Sequence, residues 1–373
     1  MRILVAFGTR PEIIKLGPVY RALRRAGAHV DVFWSGQHTD LAEGLMDLFG
    51  IELTHSGSGV VQESSLAGKF ALITQQMQSV LGSRQHDWVV VQGDTMTAAA
   101  GALTAFLNGV PLAHVEAGLR TGTLDSPWPE EFNRRLVTIA STLHFAPTAR
   151  ARDNLLREGV PRDCVAVVGN TAVDALLHAR SRIAAGYEPI DPEIANLPRD
   201  RKLVLATLHR RENIGKPLDD ILWALRELAD DGDKLVLLPV HPNPDIRAQV
   251  VRALGGRPNV RLLQSLQYTD FVFVLSRSWT VVTDSGGVQE EAPTFGLPIL
   301  IARESTERPE VVEAGFGTLV GSDRHAIVAG VRRLTGSNAT QLLPACNPFG
   351  DGEASRRIAE RIFNASQMQQ AAE

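Results

Sequence analysis

The sequence predicts an α/β protein built of two doubly wound domains, each a parallel sheet covered by helices on both faces. Three observations predict it. Short apolar runs that end at a glycine or a polar cluster recur from Arg2–Phe7 to Pro298–Ile301, several of them followed by a helical pattern. The texture breaks between Gly186 and Arg201, which is rich in proline and polar residues, and then resumes. The chain has 373 residues, too many for one ordinary domain and enough for two cores.

Arg2 to Phe7 reads as a buried strand, Gly8-Thr9-Arg10-Pro11-Glu12 as a loop, and Ile13 to Arg25 as a helix. His29 to Ser35 is a second strand, and Gly36 to Asp40 leads into another helix. A helix is expected over Ser65–Leu81, a strand over Trp88–Gln92, and an alanine-rich helix through Leu107 after Gly93-Asp94-Thr95. Strands follow at Pro111–Val115, Leu143–Ala146 and Val165–Val168, then a helix through Ala185. Beyond the break, strands are expected at Lys202–Thr207, Leu235–Pro239, Val260–Leu263, Thr280–Thr283 and Pro298–Ile301. The last helix spans Glu353 to Ser366. The domains are therefore 1–185 and 202–352, a linker at 186–201, and a terminal helical segment at 353–373.

Composition narrows the function. Hydrophobic residues make up 44% and charged residues 21%, ordinary for a globular protein. The net charge of −4 and the lack of a Lys/Arg run speak against nucleic-acid binding. No apolar run is long enough to span a membrane, and the one at the N-terminus is too short for a signal peptide. Cys164 and Cys346 have no metal-ligand spacing, and two thiols in so long a chain suit a reducing compartment, so a cytoplasmic location is expected.

The most informative stretch is Val281 to Glu291, a strand, a tight turn and a helix start. Gly286 and Gly287 allow close backbone approach to a ligand, and Ser285 is placed to cap the helix. A helix N-terminus suits a phosphate, and a carboxylate such as Glu290 or Glu291 suits the two hydroxyls of a ribose. Pro293 should end or kink the helix within about two turns. Polar clusters also end other strands: Arg10 with Lys15, Asp94, Glu116 and His209. In doubly wound sheets such clusters share one edge, and two domains would make that edge a cleft. Cations suit a diphosphate, and the carboxylates Asp94, Glu116 and Glu130 suit proton transfer at carbon. Each has a plainer alternative. Asp94 can be a helix N-cap, Glu130 and Glu131 first-turn acids after Pro129, and His209 part of a surface charge cluster. The first loop lacks the three-glycine dinucleotide fingerprint, which argues against a nicotinamide dehydrogenase.

The same residues carry a resemblance to the non-hydrolysing UDP-N-acetylglucosamine 2-epimerases along almost the whole chain. The matching motifs are GTRPE at 8–12, GDT at 93–95, HVEAGLRTG at 114–122, SPWPEEFNRR at 126–135, GNTAVDAL at 169–176, HRREN at 209–213, TDSGGVQEE at 283–291 and TERPE at 306–310. The resemblance implies two Rossmann-like domains in a GT-B-like arrangement, with the last helix returning to the first domain. It implies a homodimer that needs no cofactor and no metal. It also implies the interconversion of UDP-GlcNAc and UDP-ManNAc by elimination of UDP to a bound glycal and re-addition, a source of precursors for cell-surface polysaccharide. By matching position, Asp94, Glu116 and Glu130 resemble the catalytic carboxylates and His209 the phosphate-side histidine. Arg10, Lys15, Phe271, Ser285, Gly286, Gly287, Glu291 and Arg308 resemble the nucleotide-sugar contacts. Leu119 and Gly122 point to the UDP-GlcNAc branch rather than those acting on 6-deoxy or uronic sugars.

Many bacterial members carry a second, regulatory UDP-GlcNAc site, whose polar residues match at Gln37, Arg210, Glu212 and His241. Asp40 stands where a glutamine is usual, and Gln76 where an arginine is usual, so that site is expected to be weakened. The alternative to an epimerase is a UDP-sugar glycosyltransferase of the same architecture, which would not need carboxylates on both faces of carbon 2. A nucleotide-sugar-binding protein without turnover is a third reading.

Overall fold

A computed structural model describes residues 1–37, 42–210, 213–334 and 346–372. The chain divides into two compact units, Met1–His178 with Phe349–Glu373 and Ala179–Pro348.

In unit 1 the strands are β1 (Arg2–Phe7), β2 (His29–Trp34), β3 (His55–Ser56), β4 (Trp88–Gln92), β5 (Leu112–Val115), β6 (Leu143–Ala146) and β7 (Val165–Val167). Its helices are α1 (Arg10–Arg25), α2 (Ala42–Phe49), α3 (Leu66–Ser83), α4 (Met96–Leu107), α5 (Glu130–Ala140), α6 (Ala149–Arg157) and α7 (Thr171–Ala184), the last running on into unit 2. The strands pair in parallel in the order β3-β2-β1-β4-β5-β6-β7. The order reverses between β1 and β4, and in such sheets the crevice at the reversal, beyond the strands' carboxyl ends, is where ligands bind. The alanines of α4 are small for a reason: Ala98, Ala99, Ala100, Ala102 and Ala105 are all fully buried against the sheet and neighbouring helices.

Unit 2 has β8 (Lys202–Thr207), β9 (Lys234–Pro239), β10 (Val260–Leu263), β11 (Thr280–Thr283), β12 (Ile299–Ile301) and β13 (Gly317–Leu319). Its helices are α8 (Pro192–Ala195), α9 (Lys216–Asp230), α10 (Pro244–Leu254), α11 (Tyr268–Arg277), α12 (Gly286–Glu291), α13 (Pro309–Glu313) and α14 (Arg324–Arg333). The order β10-β9-β8-β11-β12-β13 reverses between β8 and β11. The core sets Val204, Val236, Leu238, Val282 and Leu300 against Ile221, Leu222 and Leu225 of α9.

The proline-rich stretch after Gly186 is a fastened strap. The buried Asp270 of α11 accepts hydrogen bonds from the Tyr187 hydroxyl at 2.7 Å, Ile190 N at 3.1 Å and Asp191 N at 3.3 Å. The last helix, α15 (Ala354–Ala372), packs on α1 within unit 1. Asp174 caps it by accepting from Ser355 N at 2.8 Å and Ala354 N at 3.3 Å. Farther along, Ser366 Oγ accepts from Trp88 Nε1 at 2.7 Å. The edge strands β3 and β13 escape the apolar pattern because each has only two or three residues, several of them exposed.

Candidate active site

In unit 1 the expected residues gather at the carboxyl ends of β1, β4 and β5, neighbours in the sheet, and at the start of α5. Arg10 is the first residue of α1 and Lys15 lies a turn and a half on. Lys15 Nζ donates to Glu116 Oε1, and Gln92 Nε2 donates to Glu116 Oε2. Glu116 is thus held at both carboxylate oxygens, and its side chain is only 9% exposed. Its backbone has φ 62°, the left-handed region, unique to it among the described non-glycine residues. Such a conformation costs of order 1–3 kcal/mol and is found where function fixes a side chain's direction.

Asp94 is not the cap of α4. Thr95 is, its hydroxyl accepting from Ala98 N at 3.0 Å, and this leaves Asp94 to pair with Arg134 Nε at 2.8 Å. The Asp94 side chain keeps 27% exposure. Arg134 also reaches Glu131 at 3.3 Å, and the buried Glu131 takes Thr121 N at 3.2 Å. Glu131 therefore supports the site, while Glu130 differs from it: Glu130 Oε2 is buried yet accepts no hydrogen bond among the described residues. Buried polar atoms are nearly always paired, so this oxygen is a candidate to meet a ligand or a water. Behind them, His114 Nε2 lies 2.9 Å from the Gly93 carbonyl, which can only accept, so that nitrogen carries the proton. Burial, then the neighbouring His144, pushes the His114 pKa down to about 3.

In unit 2 the site lies at the reversal between β8 and β11. Asp284, fully buried, accepts from His209 N at 3.1 Å, Arg210 N at 3.0 Å and Asn213 Nδ2 at 2.9 Å. His209 Nδ1 stands 3.1 Å from Asp284 Oδ1. The carboxylate fixes the proton on Nδ1, and the ring's other nitrogen, Nε2, is directed away from Asp284. Burial alone would raise the Asp284 pKa, but the hydrogen bond and charge of His209, with the Arg210 and Asn213 donors, hold it below the usual range.

Ser285 sits at the N-cap of α12, but contrary to expectation its hydroxyl makes no capping bond. The Thr283 hydroxyl takes Ser285 N at 2.9 Å instead. The helix is only six residues long and tightens into a 3-10 turn at Ala292–Phe295, as Pro293 requires. At Gly286 a Cβ would fall 2.8 Å from the guanidinium carbon of Arg308. Glycine there lets Arg308 lie against the helix start, where it donates to Glu290 at 2.9 Å. Glu290 is thus engaged by Arg308, while the Tyr268 hydroxyl donates to Glu291 Oε1 at 3.1 Å. Phe271 lies half-buried on α11, and Gly287 is exposed.

The family model for UDP-N-acetylglucosamine 2-epimerase matches residues 21–363. The chain belongs to the UDP-N-acetylglucosamine 2-epimerase family. It is 40% identical over 378 residues to the UDP-N-acetylglucosamine 2-epimerase of Escherichia coli K12, covering 98% of this chain and 99% of that protein. Among solved structures, the UDP-GlcNAc 2-epimerase of Neisseria meningitidis bound to UDP-GlcNAc superposes with a TM-score of 0.90 at 37% identity, over 98% of this chain and 100% of that one. The S. aureus MnaA–UDP co-structure gives 0.88 at 38% identity, over 98% and 97%. As a family member the chain is an isomerase.

Of the residues matched to the regulatory site of UDP-GlcNAc 2-epimerases, Gln37 accepts from the Thr97 hydroxyl at 2.7 Å in unit 1. Arg210 and His241 follow β8 and β9 in unit 2, while Glu212, like Asp40, lies outside the described residues. Gln76 turns to the 57–58 loop, donating to the Ser58 carbonyl at 2.7 Å. Sequence reasoning did not assign Gln92, Glu131, Arg134 or Asp284 to the site. Asp284 and Glu131 lie inside quoted motifs, but their partners come from other loops, so spacing alone gives no role.

Proposed function

We propose that the chain inverts carbon 2 of the sugar in UDP-GlcNAc to give UDP-ManNAc, by elimination and re-addition of UDP. A base removes the carbon 2 proton. The electron pair forms the carbon 1–carbon 2 double bond as the bond from carbon 1 to the UDP oxygen breaks. UDP then adds back to carbon 1, and an acid returns a proton to carbon 2 on the other face. Unit 2 takes the UDP: His209 and Arg308 face the diphosphate, Gly286 and Gly287 allow its approach, and Glu291 takes the ribose. Unit 1 supplies the proton transfers, with Arg10 and Lys15 offsetting charge on the departing group.

The observation that carries this reading is the set of three carboxylates at one sheet edge in three different settings. Asp94 is ion-paired and partly exposed, Glu116 is held at both oxygens, and Glu130 has a buried oxygen with no hydrogen-bond partner among the described residues. Differing settings are what separates an acid from a base of the same chemical type. A glycosyltransferase would not need them. In deuterated water with UDP-GlcNAc and no acceptor, NMR should show UDP-ManNAc with deuterium at carbon 2. No exchange, together with sugar transfer to an added acceptor, would replace the proposal with the transferase.

The working form in this proposal is a homodimer. Exposed Phe106 and Leu107 of α4 and Ile139 of the adjacent α5 are candidates for its contact. The two unpaired cysteines accord with the cytoplasm, and the product with a supply of precursors for surface polysaccharide.

A further inference from the structure

In unit 2 one buried carboxylate, Asp284, ties together the two loops that flank the reversal of strand order. Unit 1 has a counterpart that the reaction above does not use. Glu12 is fully buried at the reversal between β1 and β4. Its Oε2 accepts from Gly8 N at 3.0 Å and from the Thr9 hydroxyl at 2.8 Å, both on the β1–α1 loop. Its Oε1 accepts from the Thr95 hydroxyl at 2.7 Å, on the β4–α4 turn.

Glu12 is three residues past the N-cap Thr9 and reaches back as the acid of a capping box does, although the Thr9 side chain makes no capping bond and the backbone donor is Gly8 N. A capping box does not account for Thr95, 83 residues away in sequence and itself the cap of α4. Thr95 adjoins Asp94, and Thr9 adjoins Arg10. One carboxyl thus joins two helix starts and the two loops that carry site residues. The loop has no slack: a Cβ at Gly8 would fall 1.9 Å from Ser35 Oγ and 2.4 Å from Thr97 Oγ1. Burial, opposed by the hydrogen bonds, pushes the Glu12 pKa up to about 7. An acid buried at such a cost is a poor device for stability alone.

We propose that Glu12 is a positioning residue, its carboxyl joining the loop that carries Arg10 to the turn that carries Asp94 and so setting where Asp94 stands against carbon 2. This rests on the epimerisation proposed above. The test measures kcat, KM and melting temperature for the full chain and for Glu12→Ala and Glu12→Gln. Glutamine can keep the contacts, its oxygen accepting from Gly8 and Thr9 and its amide donating to the Thr95 hydroxyl. A displacement of about 1 Å costs roughly 10²-fold, so Glu12→Ala should lose about that factor in kcat with a much smaller change in KM. Glu12→Gln should recover most of it. Wild-type kcat in Glu12→Ala, a loss confined to KM or to melting temperature, or Glu12→Gln as impaired as Glu12→Ala would each overturn the proposal. If Glu12→Ala does not fold, Thr9→Val removes one tie while keeping the side-chain shape. It must then lower kcat without raising KM, and unchanged kcat overturns the proposal. Absence of exchange in the unaltered chain sinks the reaction and this inference together. Exchange in the unaltered chain with undiminished Glu12→Ala sinks this inference alone.

Discussion

Replacing Asp284 by asparagine should disable the chain through its histidine. The Asp284 carboxylate meets His209 N, Arg210 N, Asn213 Nδ2 and His209 Nδ1, all donors, and it is fully buried. An asparagine offers one acceptor oxygen, so its amide group must point at one or more of those donors. If the oxygen stays with Arg210 and Asn213, the amide faces His209 Nδ1, and the ring must move its proton to Nε2. Hydrogen bonds to a buried charge are worth about 1.5–3 kcal/mol each, so mispairing the His209 donors costs about 3 kcal/mol. At roughly 2–4 °C per kcal/mol for a unit of this size, melting should fall by about 10 °C. Turnover should fall by roughly 10²–10⁴-fold, as when a positioned acid–base group is lost or misprotonated. Asp284 has its pKa depressed, so its contribution is complete above about pH 4 and fades as pH falls further. The melting curves of the two proteins should therefore converge in acid. The assays are turnover, melting against pH, and nitrogen NMR of the imidazole. Wild-type turnover with an unchanged tautomer would refute the reasoning.

Three further outcomes are expected. Asp94→Asn, Glu116→Gln and Glu130→Gln should each reduce turnover by roughly 10²–10⁴-fold while folding survives, read by NMR and thermal melting; near-normal turnover in all three would mean the site is elsewhere. Burial holds the pKa of His114 down to about 3 and that of His144 to about 4, so both stay neutral where their unfolded counterparts bind protons. Stability should thus be undiminished above about pH 6.5 and decline as pH falls toward those values, and His144→Phe should flatten the decline measured by denaturant titration. Supplied with UDP-ManNAc alone, the chain should start at once with hyperbolic kinetics, since the family resemblance puts Asp40 where a glutamine is usual and Gln76 where an arginine is usual, about two charges less favourable to a second UDP-GlcNAc; a lag abolished by trace UDP-GlcNAc would contradict this.

The strands were legible because buried parallel strands are continuous apolar runs, as in Trp88–Gln92 and Lys202–Thr207. The clustering of candidate residues in unit 1 was legible because strand ends in a doubly wound sheet converge, and Lys15 does meet Glu116 there. What spacing could not give is which neighbour takes which role. Asp94 next to Thr95 offers two candidate caps, and only the approach of Arg134 from α5 decides between them. Ser285 takes the N-cap position that its place before two glycines suggests, but its hydroxyl makes no capping bond, which residue type alone could not show. Glu12 is a helix-start acid until Thr95 arrives from β4.

The return of the last helix to α1 bears on how the chain is made. Unit 1 is assembled from both ends of the sequence, Met1–His178 and Phe349–Glu373, with unit 2 inserted between them. During synthesis, Asp174 waits for Ser355, and Trp88 for Ser366, until nearly the whole chain has left the ribosome. Each unit has its strands in one continuous stretch, and only unit 1 must wait for a late segment to complete its helical cover. A stop just before Phe349 would leave unit 2 whole and unit 1 with an uncovered α1, a nascent state with apolar surface for chaperones to guard.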